Sequence, residues 1–559
     1  MEHRLEEDMK RKTIIAGAAS VLVLAFIAFG FVAPAEGDFY FKINKSIDLF
    51  GRVYKEIVAN YVDEIDPEKF MRAGIEGMLN TLDPYTVYID KESGDEVDLL
   101  TNGRYGGIGV TIGSRDGAIQ VITVMDGYSA QRAGIIPGDK ILEVDGMKVA
   151  DKKPDEVRSL TRGEPGTEVR LLIQREGEPK PLTFVLIREE IQIKNVTYVD
   201  VVEKGIGYIR LERFSRKAGD EVRLAIKELK AKGELKGIVL DVRGNPGGLL
   251  DAAVEVVSKF VPKGSMIVMT KGRRPDAEKQ YNSIEEPLLS ETPLVVLTDR
   301  ASASASEIVA GAIQDLDRGW ILGTRTFGKG LVQTIVPLTY GAQLKLTTAR
   351  YYIPSGRSIQ EIDYKQKQKD GVFAAVPDSQ KRAFKTKSGR TVFEHGGITP
   401  DSVVNLDDPG PLVKELYRKA LFFKFANVYF AEHKRDQFTG VDDRVLQAFK
   451  KYLDAQKFDY KEESDGKVNE LRQIAERSRY SAEILADLDA LSRALGKEKE
   501  RGFERYKNFI TRELNIEMMA RVHGEAGRIA ASLNGDRQLE TAVNVLKNPK
   551  LYTAKLKGS

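Results

Sequence analysis

The chain has 559 residues, 42% hydrophobic and 30% charged, which is room for about three or four folded domains. A formal charge of only +3 excludes the strong basic field of a nucleic-acid binder. The lack of cysteine excludes disulfides, thiol nucleophiles and cysteine-ligated zinc, and the four histidines (His3, His395, His433 and His523) form no His-Glu-x-x-His pair, so a hydrolase built here is expected to use another base.

Residues 1–12 are polar and end in Lys10-Arg11-Lys12; residues 13–32 follow without a charge. About 20 apolar residues span a bilayer, and positive charge ahead of them keeps the N-terminus cytoplasmic. Ala33-Pro34-Ala35 offers the small residues of a cleavage site. Residues 1–35 therefore read as a signal peptide or an uncleaved signal-anchor, and either places the rest of the chain outside the cytoplasm.

Residues 36–102 read as an N-terminal helical region. Ile43, Ile47, Phe50, Tyr54, Ile57 and Val58 recur at helical spacing, Asp66-Pro67 opens a second helix, and Leu82-Asp83-Pro84-Tyr85 ends it. Residues 103–190 change period. Short β-rich runs at 108–112, 119–124, 140–144, 169–174 and 182–187 alternate with Gly, Pro and Asp turns, with short helices at 129–133 and 154–160. From 191 to 408, strands at 206–211, 237–242 and 294–298 alternate with helices at 220–232, 249–260 and 307–316, which predicts an α/β core of layered sheet and helices. Residues 409–559 read as a charged α-helical extension, with helices at 412–430 and 442–458, a helical run from Leu471 to Leu495, and 501–533 in the same style.

Three pieces carry chemistry. Asp241-Val242-Arg243-Gly244-Asn245-Pro246-Gly247-Gly248 and Ser302-Ala303-Ser304-Ala305-Ser306-Glu307 each lie between a strand and a helix. Backbone N–H groups of such loops, with a helix N-terminus behind them, suit an oxyanion hole if the two loops face each other. The third piece, Thr326-Phe327-Gly328-Lys329-Gly330, sets one lysine between glycines. A lysine replaces histidine as a base only where burial lowers its pKa from about 10.4.

These pieces, in order, resemble the C-terminal processing peptidase (tail-specific protease) family over roughly residues 41–401. The motifs are Leu82-Asp83-Pro84-Tyr85, Gly106-Gly107-Ile108-Gly109-Val110, Arg132-Ala133-Gly134 with Pro137-Gly138-Asp139, Gly207-Tyr208-Ile209-Arg210, Asn245-Pro246-Gly247-Gly248, the 302–307 and 327–330 loops, Tyr352-Ile353-Pro354-Ser355-Gly356-Arg357-Ser358-Ile359, and Gly397-Ile398-Thr399-Pro400-Asp401. The resemblance implies a serine endopeptidase with Ser304 as nucleophile, Lys329 as base and Gln333 orienting the lysine. The oxyanion donors it implies are the N–H of Ala305 and of a glycine in the first loop, Gly247 ahead of Gly248. Ser302 and Ser306 are expected to be structural, and no metal or cofactor is expected. Thr324-Arg325 departs from the family, which often has an acidic residue there. The core at 191–408 is expected to resemble the crotonase/Clp protease type.

Residues 103–190 look like a PDZ domain, in the circular order seen in bacterial proteases. Gly107-Ile108-Gly109-Val110 resembles its carboxylate loop, whose backbone N–H groups receive a peptide C-terminus. Arg162 matches a family arginine that couples this domain to the active site. The partners implied are proteins with exposed apolar C-terminal tails, a second copy of the chain through its terminal helices, an activating adaptor and the inner membrane. The compartment implied is the bacterial periplasm or cell envelope. Activity is expected to rise with pH as Lys329 deprotonates. Two other readings remain: a non-catalytic PDZ tail-binding scaffold or chaperone, and a crotonase-type acyl-group enzyme. The Ser304, Lys329 and Gln333 trio argues against the first, and the export signal against the second.

Overall fold

The computed structural model describes residues 35–90, 98–99, 101–367, 373–377, 379 and 381–557, so the expected membrane segment at 13–32 lies outside the described residues. Among the described residues no helix is long and apolar enough to cross a membrane. The chain divides into two units after Tyr88. In the first, Asp66 accepts from the amides of Glu68 and Lys69 and starts the helix Pro67–Leu79 (α2) behind Ala35–Asn60 (α1). Tyr54 of α1 stacks on Phe70 at 5.7 Å and donates its hydroxyl hydrogen to the Pro67 carbonyl.

The second unit begins with the β-rich module. Arg104–Gly107 (β1) is followed by Val110–Arg115 (β2), Ala118–Val124 (β3), Lys140–Val144 (β4), the helix Pro154–Thr161 (α3), Glu168–Gln174 (β5), Leu182–Ile187 (β6) and Glu189–Gln192 (β7). Strands β2-β3-β4-β5-β6 form an antiparallel sheet, and β1 pairs with β7. The strand expected at 108–112 is broken at Ile108-Gly109, where Gly109 takes φ +80 and turns the chain out of β1. The inward faces of β3, β4 and β5 supply Val121, Val144, Leu171 and Ile173 to a core of their own.

Val196–Glu203 (β8), Ile206–Leu211 (β9), Ala218–Ala231 (α4), Gly237–Asp241 (β10), Leu250–Ser258 (α5), Met266–Gly272 (β11), Lys279–Asn282 (β12), Leu294–Thr298 (β13), Ala305–Asp315 (α6) and Trp320–Gly323 (β14) build the α/β core, with Leu331–Pro337 (β15), Gln343–Tyr352 (β16) and Ser402–Val403 (β17). The main sheet runs β8-β9-β10-β13-β14-β17 and is parallel from β9 onward. Every residue of β10 and β13 is buried, as expected of parallel strands covered on both faces. Ile238, Leu240, Leu294 and Val296 face α4, α5 and α6, while Val239, Val295 and Leu297 join Trp320 on the other face. A smaller antiparallel sheet, β15-β16-β11-β12, adjoins this core.

The extension departs from expectation in three places. The helix expected over 412–430 is two, Gly410–Arg418 (α7) and Leu421–Glu432 (α8), because Ala420 between them is left-handed (φ 52). After Asp443–Ala455 (α9), the apolar run from Leu471 to Leu495 also splits, into Glu463–Arg477 (α10) and Ala482–Glu500 (α11), with Arg479 at φ 51 and Ser481 capping the second. Lys507–Leu533 (α12) kinks at Gly524, and it packs Ile510, Leu514 and Met518 onto the aromatic cluster of α8 and α9. Most important for the site, Arg537–Leu546 (α13) and Pro549–Leu556 (α14) leave that bundle and cover the second face of the main sheet with Leu539, Ala542, Val545, Leu546 and Tyr552.

Candidate active site

Parallel pairing of β10 with β13 delivers the loops that follow them to one edge of the sheet. Ser302 Oγ donates to the Val242 carbonyl (2.8 Å), the Ala303 amide to Asn245 O (3.1 Å) and Ser306 Oγ to the same oxygen (2.9 Å). Ser302 and Ser306 are thus rivets between the loops. Ser304 stands between them at φ 56, ψ −114, a strained conformation for a non-glycine residue, as the last residue before α6. The Ala305 amide, in the first turn of α6, has no acceptor among the described residues, as is usual for the orphan donors of a helix start.

Both expected glycines are at positive φ, Gly247 at 99 and Gly248 at 153. A Cβ on Gly247 would lie 2.8 Å from Ser304 Cβ and 2.9 Å from the Ala305 nitrogen, so only glycine lets the loops approach this closely. The Gly247 amide is taken by Asn245 Oδ1 (2.9 Å), whereas the Gly248 amide has no acceptor among the described residues.

Lys329 follows β14 on the same edge. Its amide donates to Glu307 Oε2 (2.8 Å), and the Ser304 amide donates to that same oxygen (2.8 Å). Glu307 Oε1 accepts from Thr326 Oγ1 (2.6 Å) and the Gly328 amide (2.7 Å). Glu307 is wholly buried; burial pushes its carboxyl up to about 7 against the four hydrogen bonds that pull it down. The Tyr351 hydroxyl lies against the carbonyls of both Ser304 (3.1 Å) and Lys329.

Ser304, Lys329, Gln333, Gly247 and Gly248 line one cavity of about 270 Å³, walled by Ile89, Leu249, Leu250, Ile308, Leu331, Val332, Ile335 and Tyr351. Gln333 Nε2 donates to Thr347 Oγ1 (3.3 Å) on the neighbouring strand, so its tether runs into the β15–β16 ladder. Lys345 lines the same cavity, and burial holds its ammonium below the ordinary lysine value. Beneath the first loop, burial pushes the Asp241 carboxyl up, but Arg243 and Arg210 outweigh it and hold it below the usual carboxylate range. Arg243 is itself held by Asp536 (2.7 Å) and Gln538 (2.9 Å) of the last helices.

Sequence reasoning placed Arg243 and Glu307 in the chemistry-bearing loops without giving either a role, and missed Tyr351 and Lys345 altogether. The one available signal was Ser304-x-x-Glu307, the spacing of a helix capping box. Tyr351 and Lys345 sit on a strand that only tertiary pairing brings to the cavity.

In the β-rich module, Ile108 is buried and the amides of Ile108 and Gly109 have no acceptor among the described residues. A Cβ on Gly109 would lie 2.6 Å from Tyr128 Cβ. Gly107 ends β1 and Val110 opens β2, so all four loop residues cluster there. Arg162 does not line the cavity. Its guanidinium lies 4.6 Å over the Tyr105 ring, with Nε buried and without a hydrogen-bond partner among the described residues.

Four family models match the chain: Peptidase family S41 at 205–369, PDZ domain at 120–175, Activating protease CtpB N-terminal domain at 36–93, and Probable PDZ-protease, C-terminal helical domain at 412–546. The carboxy-terminal-processing protease of Bartonella bacilliformis is 40% identical over 359 residues, 63% of this chain and 81% of that protein. The carboxy-terminal processing protease CtpB of Bacillus subtilis is 31% identical over 436 residues, 77% of this chain and 89% of that protein. A solved structure of a photosystem II D1 C-terminal processing protease is 28% identical and covers 64% of this chain and 92% of its own, with a TM-score of 0.35.

Proposed function

The chain belongs to the carboxy-terminal-processing proteases, PDZ-bearing serine peptidases, and from that premise we propose that it cuts protein substrates with a Ser304–Lys329 dyad after capturing their C-terminal tails. The observation that carries this reading is the apolar cavity that Ser304, Lys329 and Gly248 line together at the start of α6. Neutral Lys329 takes the Ser304 Oγ proton as that oxygen attacks the scissile carbonyl. The amides of Ala305 and Gly248 receive the oxyanion, a donor of this kind being worth about 3 kcal/mol. The lysine ammonium then protonates the leaving amine, and water, activated by the lysine, releases the acyl group. Gln333 acts from the β15–β16 ladder to limit where the lysine moves.

The tail's carboxylate is received by the amides of Ile108 and Gly109, with its last side chain beside Val110. Arg162 acts as the coupling residue through Tyr105. The division at 35, 102, 190 and 408 gives the working modules. Residues 13–32 carry the chain to or through the inner membrane, with the catalytic part in the periplasm or cell envelope. The terminal helices serve self-association or an adaptor.

The test is cleavage of a loosely folded reporter with an apolar C-terminal tail by the full chain, Ser304→Ala and Lys329→Ala. The parent cuts and both variants lose at least about 1,000-fold in kcat. Cleavage by Ser304→Ala at the parental rate would show that another residue is the nucleophile.

A further inference from the structure

The two reacting residues come from different loops, 25 positions apart in sequence, yet their main chains share two partners. One oxygen of Glu307 accepts the amide hydrogens of both Ser304 and Lys329, each at 2.8 Å. One hydroxyl, that of Tyr351, lies against the carbonyl oxygens of the same two residues. The other Glu307 oxygen holds the Gly328 amide and Thr326 Oγ1, and Thr326 Oγ1 in turn accepts from the Ile398 amide (2.6 Å). A carboxylate has about four acceptor sites, and all of these are filled by the loops that present the dyad.

We propose that Glu307 and Tyr351 form a clamp that sets the spacing of Ser304 and Lys329, the carboxylate gripping their amides and the single phenol O–H shared between their carbonyls. The inference rests on the Ser304–Lys329 reading and adds to it a pair of positioning residues that touch neither proton nor substrate carbonyl. The need for a clamp is physical. Ser304 is held at φ 56, ψ −114, a conformation that relaxes unless both of its peptide groups are fixed. Lys329 is flanked by Gly328 and Gly330, which leave its loop free to swing unless bonded. Tyr351 is 1% exposed and Glu307 is fully buried, so both partners sit on the rigid core. Glu307 is supplied by α6 and Tyr351 by β16, where the Tyr351 amide also donates to the Gly330 carbonyl (3.0 Å) beside Lys329.

The experiment is steady-state cleavage of the tailed reporter by the full chain, Tyr351→Phe, Glu307→Gln and the double variant, with tail-peptide affinity measured alongside. Tyr351→Phe removes one oxygen and keeps the packed ring, so it retains the fold where Glu307→Gln strains it. Misplacing a reacting group by about 1 Å costs on the order of 100-fold. Each single variant is therefore expected to lose roughly 10- to 100-fold in kcat, with KM and tail affinity unchanged. The double variant loses less than the product of the two, because both act on one spacing. A parental kcat in Tyr351→Phe, a rise in KM with kcat intact, or losses that multiply in full would overturn the clamp. Ser304→Ala is the separate control: if it cuts as well as the parent, the dyad reading fails, and the clamp with it.

Discussion

Ser304 owes its position to a residue that has no side chain. Gly247, at φ 99, lets the first loop approach until an added Cβ would stand 2.8 Å from Ser304 Cβ. Gly247→Ala is expected to push the loops apart and lower kcat by about 100-fold or more, read from reporter kinetics with tail affinity as the unchanged reference. Glu307 carries a different signature. Its carboxyl is raised by burial from 4.5 to about 7 in the folded chain. A carboxyl raised in this way favours the folded state fully below about pH 4.5, and that contribution is lost as pH rises through 7. The Glu307→Gln variant has no such proton. The parent's stability relative to that variant is therefore expected to fall by up to about 3 kcal/mol between pH 4.5 and 7.5, compared by urea midpoints at both ends. The same ionisation completes the four-bond cage, so the clamp gains strength over the range in which the fold loses some; a midpoint difference that is constant with pH would mean that Glu307 does not titrate there.

At the level of elements, the candidate catalytic loops hang from β10 and β13, strands covered on both faces. Helices α4, α5 and α6 cover one face; α13 and α14, from the far end of the chain, cover the other. Tyr552 closes that second layer. Its ring stacks on Trp320 at 6.4 Å, its carbonyl accepts from Trp320 Nε1 (3.0 Å), and its hydroxyl accepts from the Leu294 amide (2.9 Å). Tyr552→Ala empties this contact and is expected to cost about 3–5 kcal/mol, measured as a lower urea midpoint. The loss should reach the candidate site as well, because Asp536 and Gln538 at the start of α13 hold Arg243 in the loop that carries Gly247 and Gly248.

Across the whole second unit, tail capture and cleavage sit in separate modules. β1 pairs with β7 and so anchors the 107–110 loop, proposed above to bind the tail, to the strand that leads into the core. On the opposite side, Phe423 of α8 lies between Arg115 of β2 (4.1 Å) and Arg521 of α12 (4.5 Å), and Lys424 pairs with Asp116. The PDZ module is thus braced by the helical extension as well as by the core. If Ile108 and Gly109 amides receive a carboxylate, a peptide whose C-terminus is amidated should bind at least about 10-fold more weakly than its free-acid form, by fluorescence anisotropy. Equal affinities would move tail recognition away from this loop.

What the sequence determined was local. Runs such as Gly237–Asp241 and Leu294–Thr298 are apolar up to their last residue, so their strand character and burial were legible, and glycine and serine loops at strand ends marked the candidate site. Ser304 and Lys329 were legible as candidates because their motifs carry short-range constraints. Only the tertiary structure decided which amide of the Gly247-Gly248 pair is free, since Asn245 Oδ1 chooses between them by geometry within a fold. It alone brought Tyr351 from β16, and the 536–552 segment from the end of the chain, to the site. Periodicity reports which face of an element is apolar; it does not report which distant element will cover that face, and here that choice places the last helices against the strands that carry the candidate-site loops.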